Sequence, residues 1–308
     1  MRNAFAKAVT DLAADNKDLI LLAGDIGNRL FDDYKKKYID RFYNCGVAEA
    51  GMTGIAAGLS SSGLQPITYT ITPFNTLRCL EQIKLDICYP NLPVIIVGTG
   101  SGLSYSGLGS THHSLEDIAS MRMLPNMHVL CPGDIFEVKL ALQKALELKK
   151  PCYIRLGKKG EQIVHKKEPE FEIGKATIVK KGFDIAILSV GNMLGPTYNA
   201  TKILLKNNIS SELISFHTIK PIDKELIISL FEKFKLIIVV EEHGLVGGGG
   251  SAVLELAHSM NKDTKKLILF NTPDRFLSAI GSQQEARKSL NIDEKSIALK
   301  IIDKLKSL

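Results

Sequence analysis

The five cysteines, Cys45, Cys79, Cys88, Cys131 and Cys152, are odd in number and include no Cys-x-x-Cys pair. No disulfide framework is encoded, and buried free thiols in a reducing compartment are expected. No apolar run approaches the ~18 residues that span a bilayer. The first residues, Met1-Arg2-Asn3-Ala4-Phe5, open an amphipathic segment and not a signal peptide. A cytoplasmic protein with no membrane partner is expected. The lysine run Lys35-Lys36-Lys37 stands between Tyr34 and Tyr38, but most of the basic excess is lysine scattered along the chain, so the net charge of +6 reads as a solvated surface and no nucleic-acid partner is expected. The chain also lacks the glycine spacing of a dinucleotide fingerprint and the Lys-Ser/Thr of a P-loop; Gly247-Gly248-Gly249-Gly250-Ser251 fits close helix packing better than an anion cradle.

What the chain has is a restarting βα alternation. Its 308 residues, 45% hydrophobic and 23% charged, suffice for two cores. Strands are expected at 18–24, 66–71, 92–98, 127–131 and 152–156. Helices are expected between them, at 3–15, 47–62, 77–87, 115–121 and 134–148. After a polar, charged stretch the pattern resumes, with strands at 176–179, 185–190, 211–215 and 236–240 and helices at 195–206, 223–233 and 251–260. The fold class is α/β: two consecutive three-layer α/β domains over 1–160 and 176–308, joined by a linker at 161–175.

Three constellations carry chemistry. Glu49 opens a Gly/Ala-rich helix and has no charged neighbour within seven residues on either side. An ionised, unpaired carboxylate is costly to bury, so it neutralises or finds a special partner. The small residues around it suit a close neighbour, either a flat ligand or another subunit. Phe74 follows a strand end, where an aromatic can stack on a ring, and Arg78, Glu81 and Gln82 follow on a helix. A fifteen-residue glycine-rich loop, Gly98 to His112, ends in the pair His112-His113. Two adjacent imidazoles diverge and no matching Cys/His set is near, so no metal site is expected in this chain. Proton transfer or hydrogen bonding to a polar substrate is the better reading.

In chain order, Gly46-Val47-Ala48-Glu49-Ala50-Gly51-Met52, Ser110-Thr111-His112-His113 with Glu116-Asp117, Met121-Arg122 with Leu124-Pro125-Asn126-Met127, Thr218-Ile219-Lys220-Pro221-Ile222-Asp223 and Glu241-Glu242-His243-Gly244 resemble the C-terminal half of thiamine-diphosphate-dependent transketolases. The resemblance covers nearly all 308 residues. It implies a pyrimidine-binding domain followed by a transketolase C-terminal domain. The family's pyrophosphate-binding segment, Gly-Asp-Gly with a downstream Asn, does not occur, and Gly24-Asp25-Ile26-Gly27-Asn28 is a different loop. The chain therefore resembles one subunit of a split transketolase. The implied partner is an N-terminal transketolase subunit, in an α2β2 heterotetramer, that binds most of the thiamine diphosphate's diphosphate and its Mg²⁺ (or Ca²⁺).

By the same resemblance, Glu49 contacts the ring nitrogen of the cofactor's aminopyrimidine as a neutral carboxyl, and Phe74 stacks on that ring. His112 hydrogen-bonds the sugar. Arg2 and Lys158 fall where basic side chains hold a substrate phosphate, Lys158 without the bidentate fork of the family's arginine; Arg155 is the nearby alternative. Leu108 stands where the family has a sugar-binding aspartate, and Gly100 where it has a second histidine. A sugar hydroxyl without its acceptor is penalised. The expected acceptor is thus a modified sugar, with nucleotide-linked sugars one option, and not the usual pentose-phosphate aldose. Two other readings compete: the beta subunit of a 2-oxoacid dehydrogenase decarboxylase component, and a non-catalytic scaffold.

Overall fold

A computed structural model describes residues 1–27, 29–279 and 281–307. Asn28, the last residue of the Gly24–Asn28 loop, lies outside them. The strands are β1 (Leu19–Ala23), β2 (Phe42–Asn44), β3 (Gln65–Ile71), β4 (Ile95–Thr99), β5 (His128–Leu130), β6 (Cys152–Leu156), β7 (Thr177–Lys180), β8 (Ile185–Ser189), β9 (Ser211–Ser215), β10 (Thr218–Lys220), β11 (Ile237–Gly244) and β12 (Leu267–Thr272). They form two sheets. The first runs β10–β5–β6–β4–β3–β1–β2 and the second β12–β11–β8–β9–β7. All pairings are parallel except β10 with β5 and β7 with β9. The α/β expectation is borne out.

The parallel strands β1, β4, β6 and β8 are buried at every residue, as strands covered on both faces must be. One face of the first sheet packs under the helices Arg2–Asp15 and Ile135–Leu148, with Phe5, Val9, Val138 and Leu142 in that core. The other face, with Met52 and Ala56 of the helix Glu49–Ser61, continues without a break into Leu188, Ile214 and Val239 of the second sheet. A third cluster lies beneath the helices Leu194–Lys206 and Glu294–Lys306. β10 comes from the second half of the chain yet adds to the edge of the first sheet, so the halves interlock.

The 161–175 stretch holds no helix or strand but is pinned. Asp134 caps the helix Ile135–Leu148 and its Oδ2 also accepts from the backbone of Val164 and His165, at 3.0 and 2.9 Å. One expectation fails locally. Residues 77–88 are not one helix: they wind as a 3-10 turn (Leu77–Cys79), an α turn (Leu80–Gln82) and a π segment (Ile83–Cys88), which leaves Leu77 exposed instead of in line with Ile83 and Ile87. In the helix Glu49–Ser61, a Cβ added at Gly51, Gly54 or Gly58 would meet nothing within 4 Å, so these glycines face away from the rest of the chain. Among the described residues, no helix is long and apolar enough to cross a membrane.

Candidate functional site

The site candidates gather past the carboxyl ends of neighbouring parallel strands, where α/β sheets place their ligands. Glu49 follows β2, Phe74 and Arg78 follow β3, the 100–113 loop follows β4, and Lys158 follows β6. Arg2 joins them from the first turn of the opening helix.

Glu49 is buried as the first residue of its helix, where the dipole favours a carboxylate. It does not stand unpaired: its partner comes from another segment of the chain. The Arg78 guanidinium donates from Nη1 to Glu49 Oε2 at 2.6 Å, and its Cζ lies 4.2 Å from the centre of the Phe74 ring. Distance along the chain hid this partner, since β3 and the turn after it bring Arg78 back over Glu49. On the other side the wall is thin. A Cβ at Gly24 would come within 2.7 Å of Thr70 Oγ1 and 3.7 Å of Glu49 Oε1. Thr70 Oγ1 is itself buried without a hydrogen-bond partner among the described residues.

Phe74 leads on to the loop. Its ring meets His112 edge-on, with centroids 5.3 Å apart. His112 Nδ1 is 2.9 Å from Thr111 Oγ1. Burial, and then the neighbouring His113, lower the His112 imidazole below its ordinary value, so it is neutral at pH 7. The two histidines diverge: His113 is buried, with Nε2 3.2 Å from Ser106 O, and fastens the loop from within. Beyond His112 stands Tyr105, 5.9 Å between centroids, and the Lys158 ammonium lies 4.1 Å over the Tyr105 ring. Burial, then Lys159 and Arg2, pull Lys158 below the usual lysine range, which places Arg2 within its field. Phe74, His112, Tyr105, Lys158 and Arg2 thus form one line, with the basic groups at one end.

Two sequence candidates lie apart from that line. Arg155 is fully buried and belongs to the domain junction: Nε donates to Asp117 at 2.7 Å, and Nη2 to Asp117, Ser114 O and Glu242 O. It cannot reach a sugar phosphate, so that reading is corrected. Leu108 lies half exposed on a short 3-10 turn, Ser106–Leu108, and its aliphatic side chain can accept no hydrogen bond. The C-terminal half braces this loop from behind. Glu242 accepts from Leu103 N at 3.0 Å, and Ser110 Oγ donates to Leu277 O at 2.8 Å. Gly248–Gly250 serve as expected for packing, because the Glu241 carboxylate accepts from Gly249 N and Gly250 N and fills the helix start from inside. The sequence reading missed Tyr105 and the Arg78–Glu49 pair. Arg78 was a findable signal, as the cation nearest to Phe74.

Comparison with known proteins gives a consistent answer. Residues 1–160 match the transketolase pyrimidine-binding domain family and residues 174–297 the transketolase C-terminal domain family. A putative transketolase C-terminal section of Methanocaldococcus jannaschii is 35% identical over 99% of this chain and 96% of its own length. One of the subunits of the apulose-4-phosphate transketolase of Phocaeicola vulgatus is 31% identical over 96% of this chain and 94% of its own. A split-gene transketolase, solved as an inactive beta4 tetramer, superposes with a TM-score of 0.88 at 31% identity, covering 98% of this chain and 96% of that one. The chain belongs to the transketolase family, to the part of it built from a pyrimidine-binding and a C-terminal domain.

Proposed function

We propose that this chain is the C-terminal subunit of a two-component transketolase that moves a two-carbon ketol unit from a ketose to an aldehyde with thiamine diphosphate as cofactor. The observation that carries the reading is the Arg78 guanidinium, one flat hydrogen-bonding group that engages both the Glu49 carboxylate and the face of Phe74. An aminopyrimidine is flat and carries hydrogen-bonding nitrogens on its edge, so the residues present fit it once the guanidinium moves aside. Bound thiamine diphosphate supplies the electron sink for the two-carbon unit.

The chain's own residues do the rest. Glu49 holds a proton at its carboxyl oxygen toward the ring edge, and Phe74 fixes the ring plane. Neutral His112 hydrogen-bonds the sugar, and Arg2 with Lys158 holds its anionic end. Two relatives that this chain matches nearly end to end, one named as a transketolase subunit and one as a split-gene protein, support a separate partner for the diphosphate and its metal. Gly51, Gly54 and Gly58 face outward beside the exposed Ile55 and Val47, which suits a second subunit and an α2β2 assembly. Leu108 and the bare Gly100 favour an acceptor other than the usual pentose phosphate, and one relative is named for a modified sugar, the ketose apulose 4-phosphate, which would stand on the donor side.

The test is reconstitution of the chain with its N-terminal partner, scoring two-carbon transfer to the aldose ribose 5-phosphate as acceptor and from the ketose apulose 4-phosphate as donor. Efficient turnover of ribose 5-phosphate refutes the modified acceptor. Release of CO₂ from a 2-oxo acid in place of ketol transfer refutes the transketolase reading; the 2-oxoacid dehydrogenase alternative is not favoured by the relatives found.

A further inference from the structure

Tyr105, within the Gly98–His112 loop, has no role in the function proposed above, yet its ring contacts both His112 and Lys158. Gly100, at φ +79°, leaves β4 directly beneath it. A Cβ built at Gly100 would overlap the Tyr105 Cε2 and Cδ2 atoms, so the ring lies against bare backbone where any side chain would exclude it. The loop locks this placement: Leu108 N donates to Tyr105 O at 2.8 Å, and Ser106 N to Leu103 O at 2.9 Å. The ring packs against His112, with centroids 5.9 Å apart, and carries the Lys158 ammonium 4.1 Å from its centroid. The phenol is half-buried and within the field of Arg2. An aromatic ring braced by the loop backbone therefore touches both the imidazole and the Lys158 ammonium.

We propose that Tyr105 is the specificity-determining residue of the sugar cleft: its ring fixes the spacing between His112 and the Lys158 ammonium and so selects anionic aldehydes by length. The inference rests on the transketolase reading, in which His112 serves the reacting end of the sugar and Lys158 the anionic end. A fixed wall between two anchors rewards the one chain length that reaches both. Without the ring, Lys158 loses its cation–π support, the gap becomes adjustable, and discrimination falls. Gly100 is part of the same device, because only a residue without a Cβ admits the ring.

The experiment uses Tyr105→Ala, Gly100→Ala and Tyr105→Phe in the reconstituted pair, with three- and five-carbon aldose phosphates as acceptors. Tyr105→Ala changes the ratio of their kcat/KM values about tenfold or more, mainly through KM, in the range one misfitted group in a pocket is worth. Gly100→Ala, strained at its positive φ and in conflict with the ring, does the same. Tyr105→Phe keeps the plate and keeps the ratio within about twofold. A second readout needs no catalysis: titration of the full chain alone with inorganic phosphate. Tyr105→Ala weakens that binding several-fold, in the direction of a Lys158→Ala control. If the wild-type pair transfers no ketol unit, the transketolase reading fails and the phosphate titration alone decides the role of Tyr105. An unchanged acceptor ratio in folded Tyr105→Ala overturns the proposal, as does phosphate binding that is absent from the wild type or indifferent to the substitution.

Discussion

Arg155 and Arg78 each meet a carboxylate at almost the same distance, 2.7 Å to Asp117 and 2.6 Å to Glu49, yet the two pairs differ in kind. Arg155 is closed in. Its side chain has no exposure, and its partner also accepts from Tyr153 Oη at 2.6 Å. Burial alone would raise the Asp117 carboxyl, but the Arg155 guanidinium, His243 and the hydrogen bonds from Arg155 and Tyr153 hold it below the usual carboxylate range. Arg78 is open: 42% of its side chain is exposed, and beyond Glu49 it rests on the Phe74 ring. The first pair is a strut between β6, the helix Asp117–Arg122 and β11. The second can part without disturbing the fold. An ion pair of given length is therefore a structural or a functional feature according to what surrounds it.

Breaking the strut has the largest expected effect. Arg155→Met leaves Asp117 in the interior without its ion-pair partner, held only by the Tyr153 hydroxyl and the field of His243, at a cost of about 3–5 kcal/mol. Urea unfolding of the full chain measures it, and a loss below about 1 kcal/mol would end the distinction between the two arginines. The double variant Arg155→Met/Asp117→Leu recovers most of the stability if the penalty comes from the orphaned charge.

On the open side, Glu49→Gln keeps the shape and the hydrogen-bonding reach of the side chain but removes the proton it holds in the proposed reaction. Ketol transfer by the reconstituted pair falls about 10²-fold or more. The melting temperature of the variant chain stays within a few degrees of wild type. Full activity in the pair would remove Glu49 from the mechanism and revive the scaffold reading.

A third buried acid shows what happens without an arginine. Glu137 accepts from Gly133 N at 2.6 Å and Ser215 Oγ at 2.9 Å, and its Oε1 lies 3.6 Å from His165 Nε2. Burial pushes its carboxyl up to about 7, against the pull of His165 and the two hydrogen bonds. A folded value above the unfolded one means that the native state binds the extra proton. The stabilisation is full below the ordinary glutamate range and is lost as pH rises through about 7. Between pH 5 and 8 the wild type thus loses on the order of 2–3 kcal/mol that Glu137→Gln does not. Equal pH slopes in the two proteins would show that Glu137 ionises as freely as Asp117.

This division was only partly legible in the sequence. Glu49, Phe74 and His112 could be read because each stands in a short segment whose neighbours restrict its chemistry. The Arg78–Glu49 pair and the Tyr105–Lys158 contact could not, since they cross from one strand end to the next and depend on sheet order. Arg155 was misread because all of β6 is buried, so an arginine inside the strand and a lysine two residues past its end look alike in sequence, although one faces the junction and the other the cleft. β2 and β10, three residues each, are too short to show an alternating pattern, and β10 is specified by an edge in the other half of the chain.

The smallest effect is the sharpest test of the comparison. Arg78→Ala removes the cation that touches Glu49, and a closed site would then lose as much as Arg155→Met does. The site is open on the arginine's side, so water replaces the guanidinium and the helix start still favours the carboxylate. The loss of stability is about 1 kcal/mol or less, the range of exposed and half-exposed pairs. Because the guanidinium lies on the two groups assigned to the aminopyrimidine, its removal also clears their faces. Thiamine diphosphate titrated into the reconstituted Arg78→Ala pair binds at least as tightly as to wild type. A loss of about 3 kcal/mol in urea unfolding, the range of a broken buried pair, would place Arg78 with Arg155 as a strut, and cofactor binding weakened tenfold would mean that the guanidinium belongs in the occupied site and does not have to leave it.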